Sequence, residues 1–511
     1  MDALQIDSGP VAVASPDARG VRAYKGLPYA APPLGPLRWR PPAPVAPWRE
    51  PRPTDAFGPS SMQGVIWADI DLSGAGTDED CLYLNVWTPT APSANERRAV
   101  LVYIHGGGFV AGSGAEPRYD GARLAARGIV VVTVNHRLNA MGFLAHPELT
   151  AENGFSGNWG LLDLVAALQW VQHNIAAFGG DPARVTIGGE SAGSMAVSAL
   201  MASPLARGLF ARAIGQSGGL FSGVAEPLPD RTTAEARGLD FMQALGAQSL
   251  AEMRAAPAEL ILAAAPGLGF RPIIDGHVLP RPLDAIFAEG AQNDVALIAG
   301  WTKDEGFNFG WLKGGEAEGA YEAMVGERFG PAADEVLAHY PGGASAPASA
   351  AALGGDLVII NKTWAWIEAQ KATGNAELFR FRFDRAPPVP QGWFGERDVA
   401  TAGAFHAGDI PYMLDTLDSM PWEIGEADRA TAASASGYWL NFVERGDPNG
   451  PGLPPWPSYR KSGEVMRLDA VCRAAPEEHR ERQMLLRELT KATPRNKCFK
   501  LASQRRRDPR A

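Results

Sequence analysis

The sequence predicts an α/β fold in which a large, mostly parallel central sheet is flanked by helices. Residues 100–104 and 129–134 are short β-branched runs, and residues 121–128 between them have a helical character. A longer helix is predicted over residues 158–178, because apolar side chains recur there at helical spacing. A strand-like stretch at residues 184–187 follows this helix. The alternation of strands and helices predicts parallel strands.

The second half of the chain continues the pattern, with strands predicted at residues 210–214 and 295–299. Two alanine-rich stretches, near residues 225–265 and 315–369, predict helical insertions around the site entrance. The sequence contains no internal repeat and no long linker. We therefore expect residues 1–511 to form a single domain.

Composition narrows the classes of function. The 511 residues are 46% hydrophobic, with a formal net charge of -10. This negative charge does not favour binding to nucleic acid or to an anionic membrane. Three cysteines, Cys81, Cys472 and Cys498, are sparse, odd in number and without metal-ligand spacing. The sequence offers no apolar leader and no 18-residue apolar run. We expect a cytoplasmic protein without a metal, bound to neither membrane nor nucleic acid, as a monomer or small homo-oligomer.

The most informative motif is residues 185–194, Val-Thr-Ile-Gly-Gly-Glu-Ser-Ala-Gly-Ser, which has the pattern of a nucleophile elbow. A serine at a sharp turn between strand and helix needs small neighbours two residues away, and Gly189 and Gly193 supply them. The turn exposes the hydroxyl at a helix N-terminus, where the Ala192 N–H points at any oxyanion that forms. Ser191 is therefore the candidate nucleophile.

Residues 105–109, His-Gly-Gly-Gly-Phe, directly follow a predicted strand. Three consecutive glycines leave backbone N–H groups unshielded, so Gly107 and Gly108, together with Ala192, are candidate donors of an oxyanion hole. The alternative is a flexible glycine hinge. The elbow downstream favours the oxyanion hole.

A serine nucleophile needs a base, almost always histidine, that a carboxylate orients. The order serine, acid, histidine excludes the four histidines that precede Ser191. The remaining candidates are His277, His339, His406 and His479. We choose His406, because it lies late in the chain in a loop of small residues, 403–409.

The acid must lie between the serine and the histidine in the sequence. Glu305 follows a predicted strand there, and its neighbour Asp304 is its nearest rival. The residues alone leave the choice between these two open. Glu190 stands beside the nucleophile, but we expect it to point away from the base and to act as a buried electrostatic neighbour.

Further motifs occur at residues 26–30, 37–42, 79–86, 157–163, 216–218 and 304–306. With these motifs, the glycine loop, the elbow and the His406 loop, the chain resembles the type-B carboxylesterases. This family has the α/β-hydrolase fold and includes bacterial para-nitrobenzyl esterases and the cholinesterases. The resemblance covers residues 21–456 approximately.

The resemblance implies ester hydrolysis without a cofactor. It implies that Glu305 is the acid and that the amides of Gly107, Gly108 and Ala192 are the oxyanion donors. It also implies that Ser217 is a second buried serine that supports the triad. The matching motifs further predict two ion pairs, Arg38 with Glu79 and Arg137 with Asp163.

The chain departs from the family in two places. Many members pair the cysteine that corresponds to Cys81 with an earlier one, but residues 60–63, Ser-Ser-Met-Gln, hold none, so we expect that loop to be untethered. The choline-binding aromatics cannot be aligned across the short segment 62–80, where Trp67 is a candidate pocket wall. Choline esters are therefore not favoured.

We interpret the chain as a serine carboxylic-ester hydrolase that acts through an acyl-enzyme on small to medium apolar or aryl esters. One alternative is a non-catalytic cholinesterase-like binding module, since fold alone does not guarantee chemistry. Another is an acyltransferase or lactonase that uses the same triad. The presence of Ser191, Glu305 and His406 favours an enzyme over the binding module.

Overall fold

The computed structural model describes residues 3–64, 70–72, 76–90, 97–224, 227–310 and 318–492. Within these ranges the strands are β1 (Ala3–Ile6), β2 (Gly9–Ala12), β3 (Val21–Pro28), β4 (Ser60–Ser61), β5 (Thr77–Asp78), β6 (Tyr83–Pro89), β7 (Arg98–Ile104), β8 (Val130–Val134), β9 (Gly180–Glu190), β10 (Arg212–Gln216), β11 (Ala296–Thr302), β12 (Leu378–Phe383), β13 (Glu464–Leu468) and β14 (Arg473–Pro476).

Helices connect and cover these strands. They are α1 (Ala122–Ala126), α2 (Asn139–Phe143), α3 (Pro147–Asn153), α4 (Trp159–Asn174), α5 (Ala192–Ala202), α6 (Arg231–Leu245), α7 (Leu250–Ala255), α8 (Ala258–Ala264), α9 (Leu283–Ala288), α10 (Gly306–Phe309), α11 (Ala320–Phe329), α12 (Ala333–His339), α13 (Ala346–Gly355), α14 (Asn361–Thr373), α15 (Ile410–Met413), α16 (Glu426–Arg445), α17 (Tyr459–Ser462) and α18 (Arg480–Ala492). A π-helical turn, Asp356–Ile360, joins α13 to α14.

A ten-stranded sheet runs through the described part of the chain in the order β14-β13-β12-β11-β10-β9-β7-β8-β6-β3. The strands from β8 to β13 along this order pair in parallel. The pairs β3 with β6, β6 with β8, and β13 with β14 are antiparallel. The predicted large, mostly parallel sheet is therefore confirmed.

The central strands are apolar on both faces. On β7, Val100, Val102 and Ile104 belong to one hydrophobic core, whereas Leu101 and Tyr103 belong to the other. Alternate residues of a strand point to opposite faces, so helices must cover both sides of such a sheet. Two cores, one on each face, result.

Several predicted elements are longer or shifted in the structure. The strand predicted at 184–187 is β9, which extends to Glu190, and the one predicted at 210–214 is β10, which ends at Gln216. The extra residues are polar or glycine and carry no apolar signal, but Gly215 and Gln216 pair with Gly189 and Glu190 across the sheet.

A helical stretch, Gly343–Thr373, has the length and mean hydropathy of a membrane span. We did not predict such a stretch from the sequence, because we expected no long apolar run. Its second half, α14, packs against β11 and β12, and Trp366 and Ile367 are completely buried. This part of the predicted insertion 315–369 therefore flanks the sheet instead of surrounding the site entrance.

Residues 60–63 are held in place without a disulfide, so the expectation that this loop is untethered is wrong. The Ser60 hydroxyl donates to Ser113 Oγ at 2.8 Å. The Gln63 amide exchanges two hydrogen bonds with the backbone of Gly112, at 2.9 and 2.7 Å. Cys81 and Cys472 are buried and free, whereas Cys498 and Trp67 lie outside the described residues.

Both predicted ion pairs are confirmed. Arg38 Nε donates to Glu79 Oε1 at 2.7 Å, and a second contact joins Arg38 Nη2 to Glu79 Oε2. Arg137 donates to Asp163 at 2.8 and 2.6 Å, and both side chains are almost completely buried. Each pair is bidentate, which is the strongest arrangement of arginine and carboxylate.

Candidate active site

The structure places Ser191 at the turn between β9 and α5. Its backbone is strained, with φ 54° and ψ -120°, a conformation that non-glycine residues rarely adopt. A Cβ added to Gly193 would meet Ile104 O at 2.1 Å, and one on Gly189 would meet the Gly193 backbone at 2.6 Å. Only glycine fits at these two positions. The Ser191 N–H also donates to Gln216 O at 2.9 Å, which fixes the turn to β10.

Three residues from distant parts of the sequence form a continuous chain of hydrogen bonds. His406 Nε2 lies 2.9 Å from Ser191 Oγ, and His406 Nδ1 lies 2.6 Å from Glu305 Oε2. Glu305 is completely buried, and its other oxygen accepts a hydrogen bond from the Thr302 N–H at 3.1 Å. The second contact fixes the carboxylate toward the imidazole.

Asp304 faces the backbone of the His406 loop rather than the imidazole ring. Its carboxylate accepts a hydrogen bond from the Ala404 N–H at 2.8 Å, and its own N–H donates to Ala404 O at 3.0 Å. Of the two neighbouring acids, only Glu305 contacts the ring of His406 in the described structure. Asp304 holds the loop that carries the histidine.

Glu190 does not point away from the base, so that expectation is wrong. Its Oε1 atom lies 3.3 Å from His406 Nε2. The side chain can enter the site because Gly106 has no Cβ, which would stand 2.6 Å from Glu190 Oε2. Burial of the carboxyl raises the pKa of Glu190 above its ordinary 4.5, although the nearby imidazole opposes this.

Charge around His406 favours its protonated form. Burial lowers the pKa of the imidazole. The carboxylates of Glu305 and Glu190 raise it by a larger amount, so the net shift is upward from 6.5. The site therefore stabilises an imidazolium, the species that forms when His406 accepts a proton from the serine.

The predicted oxyanion donors lie beside the serine. Gly107 and Gly108 line the same cavity as Ser191, and both have positive φ, 105° and 62°, which suits glycine. Among the described residues, the amides of Gly107, Gly108 and Ala192 donate no hydrogen bond to another group. Free donors at such a position can bind a developing oxyanion.

Ser217 is buried close to the site, but it makes no hydrogen bond to the three residues above. Its N–H donates to Gly300 O at 2.8 Å, and its hydroxyl has no hydrogen-bond partner in the described part of the chain. The supporting role predicted for Ser217 thus stays a prediction.

The sequence reasoning missed Asp409. This buried carboxyl accepts a hydrogen bond from Gln216 Nε2 at 2.9 Å, and Gln216 in turn accepts one from the Tyr103 hydroxyl at 3.1 Å. Burial raises the pKa of Asp409 to about 6, and the charge of Glu305 adds to the shift. The available signal was an acidic residue three positions after His406 in a loop of small residues.

A cleft of about 1900 Å³ opens onto Ser191 and His406. Met195, Phe307 and Phe309 are apolar side chains that line this cleft, and the Phe309 ring packs edge-on against His406 with the ring centroids 4.9 Å apart. Among the described residues, no group of three or more His, Cys, Asp or Glu side chains could hold a metal ion. The cleft gives a substrate access to the serine and its hydrogen-bonded partners.

Comparison with known proteins gives a consistent result. A sequence model of the group described as "Carboxylesterase family" matches residues 6–327 and 338–485. The fumonisin B1 esterase of Sphingopyxis macrogoltabida is 39% identical over 469 residues, which span 87% of this chain and 83% of that protein. The para-nitrobenzyl esterase of Bacillus subtilis is 34% identical over 481 residues, 88% of this chain and 92% of that protein.

Solved structures agree with these relatives. A PNB esterase structure matches with a TM-score of 0.82 and 32% identity, covering 95% of this chain and 99% of that one. A carboxylesterase of Geobacillus stearothermophilus matches with a TM-score of 0.79 and 32% identity, with the same coverage.

Proposed function

Because the chain belongs to the carboxylesterase family and is an ester hydrolase, we propose that Ser191, His406 and Glu305 carry out the hydrolysis. The observation that carries this proposal is the chain of hydrogen bonds from Ser191 Oγ through the imidazole to Glu305. The α/β-hydrolase fold and the family that the sequence predicted are both confirmed.

In the first half of the reaction, Ser191 Oγ attacks the ester carbonyl while His406 Nε2 takes the hydroxyl proton. The carbonyl oxygen becomes an anion, and the free amides of Gly107, Gly108 and Ala192 are the groups that stabilise it. His406 then gives its proton to the departing alcohol. The C–O bond to the alcohol breaks, and the acyl group stays on Ser191.

In the second half, His406 takes a proton from water, and the resulting hydroxide attacks the acyl-enzyme. The proton returns to Ser191 Oγ as the carboxylic acid leaves. Glu305 keeps its charge throughout and stabilises the imidazolium in both halves. Every proton is accounted for by this chain's own side chains and one water, so the proposal needs no cofactor.

We propose small to medium apolar or aryl esters as substrates. The support is the apolar side chains of Met195, Phe307 and Phe309, which line the cleft that contains Ser191. We also propose a cytoplasmic location, for which the free thiols of Cys81 and Cys472 are the support, and a monomer or small homo-oligomer.

The test is a panel of para-nitrophenyl and para-nitrobenzyl esters with acyl groups of increasing length. We expect saturable release of the chromophore, with an initial burst where deacylation is slow. A fluorophosphonate probe should add its mass to Ser191 and abolish the activity in proportion to labelling. If the protein releases no alcohol from any ester on the panel, the proposed function is refuted.

A further inference from the structure

Three arginines occupy directly paired positions on three neighbouring strands. Arg382 on β12 is the register partner of Arg467 on β13, and Arg467 is the register partner of Arg473 on β14. Residues paired in this way point to the same side of a sheet, and like charges directly opposite each other are destabilising. We call Arg382, Arg467 and Arg473 the arginine row.

The arginine row carries more positive charge than its carboxylate partners neutralise. Arg382 pairs with Asp384 at 2.5 Å and with Glu478 at 2.7 Å. Arg467 also pairs with Glu478, at 3.1 Å, while Arg473 has no ion pair within the described ranges. Arg382 and Arg467 thus share two carboxylates, whereas Arg473 has none among the described residues, and the Glu478 side chain is 54% exposed.

Arg467 has the weakest compensation for its burial. Its side chain is only 5% exposed. Burial and repulsion by Arg382 lower the pKa of its guanidinium, which means that its surroundings penalise the positive charge. A buried charge with one shared partner gains most from a second, well-oriented anion.

Two members of the arginine row line the cleft that contains the proposed nucleophile. Arg382 and Arg467 line the same cavity as Ser191 and His406. Of the described side chains that line this cavity, seven are Arg or Lys and four are Asp or Glu, and three of the arginines also pair with carboxylates outside this set, Arg118 with Glu116, Arg380 with Glu477 and Arg382 with Asp384. The attraction for an anion therefore comes from the arginine row itself rather than from the charge of the cleft as a whole.

Beside Arg382 the cleft is lined by apolar side chains and by Arg380, which lies over the Trp301 ring at 4.4 Å and is paired with Glu477. Trp301 on β11 is the register partner of Arg382, and Ile359 and Val465 also line the cleft. Ser191 follows β9, and β10 and β11 lie between β9 and β12. Three strand spacings therefore separate Ser191 from Arg382, roughly 14 Å, and four separate it from Arg467, roughly 19 Å. An aliphatic chain fits such a stretch.

We propose that the arginine row binds an anionic group at the far end of an ester whose apolar chain extends from Ser191 past Trp301. This inference rests on the proposed hydrolytic function of Ser191. Arginine can hold a carboxylate, sulfate or phosphate through two parallel hydrogen bonds, and carboxylate serves as the probe. The cleft then accepts long esters that end in an anion in addition to small apolar esters.

A purely structural role for the row would be to fasten the segment that carries Glu478 to the sheet. In that case, loss of Arg467 would lower the free energy of unfolding without changing the preference between charged and neutral esters. Substrate preference therefore separates the two explanations.

The experiment uses the full chain and para-nitrophenyl monoesters of adipic, sebacic and dodecanedioic acid. Each is compared with the same molecule capped as a methyl ester at the far carboxyl. We expect the ratio of kcat/KM for the free acid over the capped ester to be near one for adipate. It should rise about tenfold for the two longer acids, which reach the arginine row. Added salt should reduce this gain.

Variants test whether the arginine row causes the higher kcat/KM of the free acids. Arg467→Gln should reduce the ratio for the sebacate pair about tenfold. Glu478→Gln should raise it, because both arginines lose their shared carboxylate. Arg429→Gln, at a position that is 62% exposed on α16, removes a charge elsewhere and should leave the ratio unchanged. If Arg467→Gln does not fold, Arg382→Gln, at the other row position that lines the cleft, should move the ratio in the same direction.

A ratio near one for all three acids overturns the proposal. So does a ratio that neither Arg467→Gln nor Glu478→Gln changes. The hydrolytic function would survive either result, because the capped esters would still be cleaved. If no ester is cleaved, the proposed function fails, and this inference fails with it.

Discussion

Glu190 Oε1 lies 3.3 Å from His406 Nε2, the nitrogen that also contacts Ser191 Oγ at 2.9 Å. His406 is therefore held between two carboxyl groups, with Glu305 at Nδ1 and Glu190 at Nε2. The Glu305 contact fixes the ring and leaves Nε2 facing the serine. As a carboxylate, Glu190 also favours the imidazolium, whereas burial raises the pKa of Glu190 and favours its uncharged form. The two carboxyl groups thus act on the protonation of the same imidazole, one at each ring nitrogen.

Ser191→Ala should abolish covalent catalysis. The change removes only a half-buried hydroxyl, so the fold should stay intact while kcat falls about 10⁶-fold, as at other serine nucleophiles. Steady-state kinetics and fluorophosphonate labelling followed by mass spectrometry check this. Labelling of another residue, or activity close to that of the unmodified chain, would show that the nucleophile lies elsewhere.

Glu305→Gln should reduce kcat about 10⁴-fold, because it leaves the imidazolium of the transition state without its anion. Asp304→Asn is the matched control. It keeps an oxygen that can accept the Ala404 N–H, so we expect a loss of no more than about tenfold. If kcat falls strongly in Asp304→Asn but little in Glu305→Gln, the acid has been assigned to the wrong neighbour.

Local sequence patterns were sufficient for the elements whose geometry is set within a few residues. The elbow could be predicted because its turn accepts only glycine at positions 189 and 193, and the sequence has Gly189 and Gly193 there. His406 could be predicted from chain order and its small-residue loop. The ion pair of Arg137 with Asp163 came from the family motifs, and its two contacts follow from the pairing of a planar guanidinium with a carboxylate.

Features that depend on register or on distant backbone could not be predicted. The side-chain direction of Glu190 depends on the space left by Gly106, 84 residues away, as the 2.6 Å approach shows. The pairing of Arg382 with Arg467 exists only in the register of β12 with β13. The hydrogen bond from Ser60 to Ser113 likewise joins segments far apart in the sequence. None of these leaves a periodic signal in the chain.

Asp163→Ala should destabilise the protein by about 3–5 kcal/mol, because it leaves the buried charge of Arg137 without a partner. The free energy of unfolding from urea denaturation measures this. Asp418→Ala provides the comparison, since Asp418 pairs with Arg123 and Arg429 at the exposed surface, where a pair contributes about 0–1 kcal/mol. Equal effects of the two changes would contradict the importance of burial.

The last prediction concerns pH, because His406 must be neutral to accept the proton of Ser191. Sequence alone leaves the sign of its pKa shift open, since burial and a carboxylate act in opposite directions. In the structure, burial lowers the pKa but Glu305 and Glu190 raise it more, above the ordinary 6.5. The rate for a neutral ester should therefore fall, as pH decreases, along an ionisation that lies above 6.5.

Glu190→Gln tests the origin of that shift. Replacing the carboxyl with a neutral amide removes one group that favours the imidazolium, so the acid limb of kcat/KM should move to lower pH. Asp418→Asn, an exposed carboxylate that is 51% accessible and pairs with Arg123, should leave the limb in place. A limb that stays fixed or moves upward in Glu190→Gln would show that Glu190 does not act on the pKa of His406, whatever the distance between them.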